Sequence, residues 1–169
     1  MLATPLLVLA MAAAGLSQTI PEGYRRVYIT SMVNTKFVVV PKTPVKAGTT
    51  IVVQTRTDKP EQHWFIKDNS TKIQLADTTL CLDAGAKSNW KDMGNIYLQT
   101  CSDTEAGQKW TAMKDGRIAL DASSPQECID LQYMRATANN PVGLYSCAGL
   151  GNTGAGDKGI NWPLANATA

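Results

Sequence analysis

The stretch that decides the fold begins with Leu80-Cys81-Leu82-Asp83, continues with Ile96-Tyr97-Leu98-Gln99-Thr100-Cys101 and ends with Gln108-Lys109-Trp110. A cysteine and, two residues later, an aspartate lie in one short apolar segment, and a second cysteine follows 20 residues after the first. A Gln-x-Trp triplet closes the unit. Parts of the same pattern occur earlier and later in the chain, so this stretch is the best-preserved copy of an internal repeat.

The repeat divides the chain into three units of four predicted strands, at about residues 24–67, 68–113 and 114–164. Trp64, Trp110 and Trp162 mark the ends of the units, 46 and 52 residues apart. Short apolar alternations separated by Asn, Pro and Gly predict strands, with the last one at residues 160–163. One such unit cannot bury its apolar face alone. We therefore expect an all-β fold in which three units close around a pseudo-threefold axis, with the three tryptophans in the core.

The N-terminal segment differs in composition from the rest of the chain. Residues 5–14 form an apolar run that is too short to span a bilayer, and small residues follow it. This pattern predicts a signal peptide at residues 1–17 and a secreted domain at residues 18–169; a buried N-terminal helix is the alternative. The net charge is +2 and the basic residues are scattered. Neither nucleic acid nor membrane insertion is therefore expected.

The four cysteines indicate disulfides, because an even number follows a predicted signal peptide. Four cysteines allow three pairings, and the repeat favours Cys81–Cys101 and Cys128–Cys147, one within each of two units. Zinc binding is the rival interpretation, but the chain has a single histidine and no CxxC spacing. Asn69 and Asn166 begin glycosylation sequons in polar segments.

The order and spacing of these motifs resemble the ricin B-type β-trefoil lectins, also called carbohydrate-binding module family 13. The resemblance rests on Cys-Leu-Asp, a cysteine about twenty residues later and Gln-x-Trp, and it extends from about residue 24 to residue 164. It implies a β-trefoil fold of three four-stranded repeats and a secreted lectin whose partners are glycans or polysaccharide. It does not imply an oligomeric state.

Asp83 and Asp130 are the candidate sugar ligands that the residues themselves suggest. Each directly follows an apolar residue on a predicted strand and is therefore expected to point away from the core. A carboxylate can accept two hydrogen bonds from neighbouring sugar hydroxyls, an amide both donates and accepts, and an aromatic ring packs on the C–H face of a pyranose. The alternative is that each aspartate caps a local turn.

The resemblance assigns different sets of residues to the first two units. In the first, Val39 stands at the aspartate position and Phe37 and Arg56 at the cysteine positions, so we expect a structural copy without a site. The second unit keeps Asp83 and Gln108. Its expected aromatic position holds Gln99, while Tyr97 stands where glutamine is common, so the two are exchanged. Trp90, in a polar loop, is either a loop anchor or a stacking surface.

The third unit is the preferred site. It keeps Asp130, and Tyr145 stands at the expected aromatic position two residues before Cys147. Asn140 precedes that strand and completes the predicted set. Ile160 replaces the glutamine of Gln-x-Trp, and Asp157 or Asn161 is considered as its substitute.

The sequence gives little support for an enzyme. Once the cysteines pair, no Ser/His/Asp or Cys/His set remains, and Asp83 and Asp130 belong to different units. We expect no catalytic activity, no cofactor and no metal site. The alternative function is a β-trefoil protease inhibitor or protein-binding scaffold without sugar binding, favoured by the long loops at residues 42–48 and 149–159.

Overall fold

The computed structural model describes residues 18–168, which form short strands joined by loops and single turns of 3-10 helix. The strands are β1 (Arg25–Ile29), β2 (Phe37–Pro41), β3 (Ile51–Thr55), β4 (Trp64–Ile66), β5 (Asn69–Thr71), β6 (Gln74–Leu75), β7 (Leu80–Asp83), β8 (Tyr97–Thr100), β9 (Trp110–Ala112), β10 (Ile118–Leu120), β11 (Glu127–Leu131), β12 (Val142–Ser146) and β13 (Leu164–Asn166). The 3-10 turns are Pro60–Gln62, Lys87–Asn89, Ala106–Gln108, Gln132–Met134, Leu150–Asn152, Gly154–Gly156 and Lys158–Ile160. The predicted signal peptide, residues 1–17, lies outside the described residues. No helix within residues 18–168 is long and apolar enough to cross a bilayer.

The two larger sheets run across the boundaries between repeats. One has the strand order β13-β1-β4-β6-β7-β8, a second has the order β12-β11-β10-β9-β5, and β2 pairs with β3 alone. All named pairings are antiparallel. The pairing of β4 with β6 joins the first repeat to the second, and the pairing of β9 with β10 joins the second to the third.

Three equivalent hydrogen bonds show the pseudo-threefold repetition. In each unit the indole N–H of the Gln-x-Trp-type tryptophan donates to the backbone carbonyl of a buried strand residue. The pairs are Trp64 with Val39 (2.8 Å), Trp110 with Leu82 (3.2 Å) and Trp162 with Ile129 (2.8 Å). The three tryptophans are at most 1% exposed and belong to one core cluster with residues from all three units. Their predicted role in the core is confirmed.

The same hydrogen bonds correct the alignment of the first repeat. Because the carbonyl of Val39 occupies the place of the Leu82 carbonyl, the aspartate position of the first repeat is Val40 and the first cysteine position is Val38. The assignment of Val39 and Phe37 to these positions was wrong by one residue. Consecutive valines carry no polar residue that marks the face of the strand, and a shift of one residue reverses every side chain.

Arg56 does stand at the second cysteine position. Its backbone N–H donates to the carbonyl of Lys36 at 2.8 Å, as the N–H of Cys101 donates to the carbonyl of Thr79 at 2.8 Å. In place of a disulfide, the guanidinium lies 3.9 Å from the centre of the Tyr28 ring. In the first repeat the end of β3 is therefore held against β1 by a stacked side chain, and no disulfide joins β2 to β3.

The disulfide prediction is confirmed for the other two repeats. Cys81 pairs with Cys101 and Cys128 pairs with Cys147, with Cα–Cα distances of 4.9 and 5.0 Å. Each bond joins the two strands of a hairpin within one repeat, β7 with the end of β8 and β11 with the end of β12.

The last strand lies further along the chain than predicted. Residues 160–163 form a single bridge, Arg117 with Asn161, and β13 begins at Leu164. The backbone of this segment bonds to two different partners, since the N–H of Trp162 donates to Gly116 and the carbonyl of Pro163 accepts from Thr30. A regular ladder with one neighbour therefore does not form there. The structure also adds β5, in the polar segment that carries the Asn69 sequon.

Candidate functional site

In each repeat a pocket opens beside the residue that follows the carbonyl acceptor of the tryptophan hydrogen bond. This residue is Val40 in the first repeat, Asp83 in the second and Asp130 in the third. The pockets have volumes of about 290, 460 and 370 Å³ in the first, second and third repeats. In each repeat, this residue pairs with the equivalent position on the next strand. Val40 lies opposite Val52, Asp83 opposite Tyr97 and Asp130 opposite Gly143. The three pockets are therefore structural equivalents with different linings.

In the third repeat, Asp130 and Tyr145 line the same pocket. Asp130 is on β11 and Tyr145 on the adjacent β12, where Tyr145 lies two residues beyond the partner of Asp130. Diagonal neighbours of this kind lie on one face of a sheet. The structure thus brings together the two residues that the sequence singled out. Asn140 does not line this pocket, and its side-chain amide donates to the carbonyl of Gln132 at 2.9 Å.

The carboxyl group of Asp130 is buried, and within residues 18–168 it accepts no hydrogen bond. The residue is 7% exposed. Burial raises the pKa of Asp130 to about 7, and the negative charges of Asp157 and Asp92 raise it further in the same direction. Asp157 is differently placed, because its two oxygens accept from the backbone N–H groups of Leu150 (2.6 Å) and Gly159 (2.8 Å). Asp130 therefore presents unused acceptors to the pocket.

The backbone near Asp130 is closely packed. A Cβ atom at Gly159 would lie 2.9 Å from the Oδ1 atom of Asp130 and 3.0 Å from the side chain of Met134. Only glycine fits this approach, so the loop before Trp162 can close over the carboxylate.

Large apolar side chains surround the pocket, and sequence reasoning missed them. The exposed fractions are 70% for Tyr133, 57% for Leu150, 43% for Met134 and 42% for Met93. Tyr133 and Met134 have left-handed backbone φ angles of 56° and 49°, which turn the chain sharply after β11. The signal in the sequence was the dipeptide Tyr133-Met134 in an otherwise polar loop three and four residues after Asp130.

The pocket of the second repeat is lined by Asp83, Gln99 and Gln108, together with Glu105. The Oδ1 atom of Asp83 accepts from the N–H of Gly85 at 2.7 Å, and Oδ2 accepts from the amide of Gln108 at 3.0 Å. Gln108 is 1% exposed, so it orients the aspartate from below the surface. Three of the four residues predicted for this site therefore come together.

The aromatic residues of the second repeat lie elsewhere. Tyr97 is half-buried and does not line the pocket; its ring lies beside Gly85, 3.6 Å from where a Cβ atom there would stand. The indole N–H of Trp90 donates to the carbonyl of Gly85 at 3.0 Å, and its ring packs against the main core. Of the two alternatives for Trp90, a loop anchor and a stacking surface, the structure therefore supports the loop anchor. Within the described residues, this pocket has no aromatic lining.

The remaining predicted residues lie apart from the pockets. Asn69 and Asn166 are exposed on β5 and β13, and neither asparagine lines any of the three pockets. The side-chain amide of Asn161 donates to the carbonyls of Asp115 and Ala155, and within residues 18–168 it makes no hydrogen bond to Asp130. His63 is buried against the hydroxyl of Tyr28 at 2.9 Å. Among residues 18–168, no group of three or more His, Cys, Asp or Glu side chains is placed to hold a metal ion.

Comparisons with known proteins agree with this architecture. A model of the family described as the ricin-type β-trefoil lectin domain matches residues 39–110 and 69–163, well over half of the chain. No curated protein matches the chain. The designed threefold-symmetric protein ThreeFoil has a similar structure, with 17% identity, a TM-score of 0.68 and coverage of 86% of this chain and 99% of ThreeFoil.

Two natural lectin structures are also similar. The C-terminal half of the earthworm R-type lectin, solved in complex with GalNAc, has 16% identity and a TM-score of 0.63, covering 84% of this chain and 98% of that one. The β-trefoil lectin of the Vibrio vulnificus hemolysin, solved with N-acetyl-D-lactosamine, has 13% identity and a TM-score of 0.61, covering 88% and 98%. These likenesses confirm the predicted all-β trefoil fold. Together with the match of the family model, they show that this chain belongs to the ricin-type β-trefoil lectin domain family.

Proposed function

We propose that this protein is a secreted lectin that binds glycans mainly through the pocket of the third repeat. Membership of the lectin family supports a carbohydrate-binding role. The observation that carries the proposal is the shared pocket of Asp130 and Tyr145, a buried acceptor beside an aromatic ring. These are two of the groups that recognition of a pyranose requires.

The chemistry of binding follows from the free acceptors of Asp130. When ionised, its carboxylate can accept hydrogen bonds from two neighbouring sugar hydroxyls, and such charge-assisted bonds are stronger than neutral ones. The ring of Tyr145 offers an apolar surface to the C–H face of the sugar. Tyr133 extends this surface at the rim, where 70% of the residue is exposed. The pocket therefore combines orientation by the carboxylate with apolar contact.

The second repeat supplies a weaker site in this proposal. Asp83 already accepts one hydrogen bond on each oxygen, and no aromatic side chain lines its pocket in residues 18–168. Gln99 adds an amide that can donate and accept. Two weak sites on one molecule raise the avidity for a glycan surface or polysaccharide. Asn140 and Tyr97 are left out of the proposed contacts.

Secretion is part of the proposal. Two disulfides are typical of proteins that fold in an oxidising compartment. The exposed positions of Asn69 and Asn166 are compatible with glycosylation at the two sequons. A binding role without catalysis is proposed because Asp83 and Asp130 line separate pockets, whereas glycosidases use two carboxyl groups that flank one bond.

The experiment is a glycan array with the secreted protein and single variants. Asp130→Ala should abolish most binding and Asp83→Ala should reduce it less. Asp103→Ala is the matched control, since Asp103 is exposed and pairs only with Lys72 in the described residues. Binding that survives both pocket substitutions would remove the proposed sites. Inhibition of a protease without any glycan binding would decide for the alternative function.

A further inference from the structure

The pocket of the first repeat keeps the architecture of the other two after losing its aspartate. Val40 stands at the aspartate position, and the pocket beside it has a volume of about 290 Å³. Gln62 is 4% exposed, donates to the carbonyl of Thr55 at 3.0 Å and accepts from the N–H of Thr57 at 2.8 Å. Gln108 makes the equivalent pair of bonds in the second repeat. The wall of the pocket is therefore preserved.

The charge of this pocket is opposite to that of its equivalents. The second-repeat pocket carries Asp83 and Glu105, and the third-repeat pocket carries Asp130 and Asp157. In the first repeat, the position three residues before the Gln-x-Trp glutamine is Lys59, where the second repeat has Glu105.

A second lysine, Lys42, lines the first-repeat pocket two residues after Val40. Glu61 is the single carboxylate among the residues that line it. The pocket therefore has two ammonium groups and one carboxyl group, whereas each of the other two is lined by two carboxyl groups and by no lysine or arginine.

Both ammonium groups are available to a ligand. Lys42 and Lys59 are exposed, and neither lies within 4.0 Å of a carboxylate in residues 18–168. Gln54 occupies the position of Gln99 and Tyr145, and its amide donates to the Oδ1 atom of Asn139 at 2.7 Å. Its carbonyl oxygen remains as an acceptor for a hydroxyl group.

We propose that this pocket is a third binding site, which accepts an acidic sugar residue carrying a carboxylate or a sulfate group. The two ammonium groups would bind the anionic substituent, and the amide of Gln54 would bind a ring hydroxyl. Val40 lacks the carboxylate that Asp83 and Asp130 offer to a neutral sugar at the equivalent position of the other pockets. Since recognition depends on exposed charges and not on stacking, salt weakens it strongly. The proposal does not depend on sugar binding in the other two repeats.

The test is calorimetric titration of the whole protein with three oligosaccharides of one galactan backbone: neutral, sulfated and carboxylated at C6. The sulfated and carboxylated arms distinguish the two sources of negative charge. Lys42→Gln combined with Lys59→Gln should weaken binding of the acidic ligands by about tenfold or more, and leave neutral ligands unchanged. The matched control, Lys36→Gln combined with Lys114→Gln, removes the same charge from exposed positions outside the pocket.

Four results would overturn the proposal. The first two are no binding of either acidic ligand, and an affinity for them that the Lys42→Gln, Lys59→Gln variant leaves unchanged. The other two are an equal loss in the control variant, and equally tight binding of polyglutamate, which would indicate a nonspecific response to anions. If neutral glycans do not bind at Asp130, the proposed lectin function fails, but the proposal of an acidic-sugar site in the first repeat is unaffected. The lysine variant retains the fold if its urea midpoint equals that of the control.

Discussion

The Nε2 atom of Gln108 lies 3.0 Å from the Oδ2 atom of Asp83, and the equivalent pair in the third repeat is Ile160 and Asp130. An isoleucine cannot donate a hydrogen bond, so Asp130 is buried without the donor that supports Asp83. The same strand position thus carries a carboxylate anchored by the protein in one repeat and a carboxylate with free acceptors in another. Because its carboxylate has free acceptors, the third repeat is a better candidate for sugar binding than the second, although it matches the Gln-x-Trp motif less well.

Gln108→Leu should destabilise the protein. The substitution removes the amide that donates to the buried carboxylate of Asp83, and it also leaves the N–H of Ser102 and the carbonyl of Thr100 without their side-chain partner. Leaving a buried polar group unpaired costs about 1–3 kcal/mol. Urea unfolding should show a lower midpoint with an unchanged slope. Gln99→Leu is the control, because Gln99 is half-buried and its side chain makes no hydrogen bond within residues 18–168. Equal stability of the two variants would contradict the role given to Gln108.

An engineered disulfide tests the corrected alignment of the first repeat. Val38→Cys with Arg56→Cys places thiols at the positions of Cys81 and Cys101, and a third bond should form and stabilise the fold by about 3 kcal/mol before the loss of the Arg56–Tyr28 contact. Phe37→Cys with Arg56→Cys should retain two free thiols, since residue 37 faces the other side of β2. Thiol titration and intact mass distinguish them. Formation of the third disulfide in the Phe37→Cys variant but not in the Val38→Cys variant would instead support the alignment predicted from the sequence.

The sequence predicted the repeats, the disulfides and the buried tryptophans because these depend on residue types that recur at fixed spacing. It failed at Val38, Val39 and Val40, where identical side chains cannot mark a strand face. It also placed Asn140 in the site, whereas the amide of that residue closes the loop by bonding to Gln132. Local turn chemistry of this kind is not visible in a spacing pattern.

The rim of the third pocket was missed for a related reason. Tyr133 lines the same pocket as Tyr145 because the chain turns at two residues with positive φ, and no glycine or Asx-Gly pair in the sequence indicates that turn. Leu150 comes from a different loop and lines the pocket because Asp157 binds its N–H. A pocket built from separate loops requires the three-dimensional structure.

Tyr133→Ala should lower glycan affinity by about tenfold and leave stability nearly unchanged, because an exposed ring contributes contact area to the ligand and little to the core. Tyr133→Phe should retain the affinity, since the ring and not the hydroxyl makes the contact. Tyr97→Ala is the control on a ring outside the pocket and should not change the affinity of the third site. Calorimetric titration with the best array ligand measures all three. An affinity unchanged by the loss of the Tyr133 ring would exclude it from the site.

Glycan binding should strengthen as the pH rises through about 7. Burial and the neighbouring charges of Asp157 and Asp92 raise the pKa of Asp130 to about 7, so the carboxylate that accepts from sugar hydroxyls predominates above that pH. Asp130→Asn should bind more weakly than the wild type at about pH 8 and show no such pH dependence. Affinity that falls between about pH 6 and pH 8 would contradict an ionised acceptor at this position.

The free energy of unfolding should fall as the pH rises, whereas the affinity for glycans should increase. Comparing the two pH dependences distinguishes the contribution of Asp130 from that of Glu127. A carboxyl group whose pKa is higher in the folded state favours folding while it is protonated, and this contribution is lost as the pH rises through the folded value. Burial and Asp92 also raise the pKa of Glu127 to about 7, so both groups should lower the free energy of unfolding as the pH rises from about 4, near their unfolded pKa values, to about 7, each on the order of 3 kcal/mol. Glu127 does not line the pocket. Glu127→Gln should therefore flatten part of the pH dependence of urea unfolding and leave that of glycan binding intact, whereas Asp130→Asn should alter both.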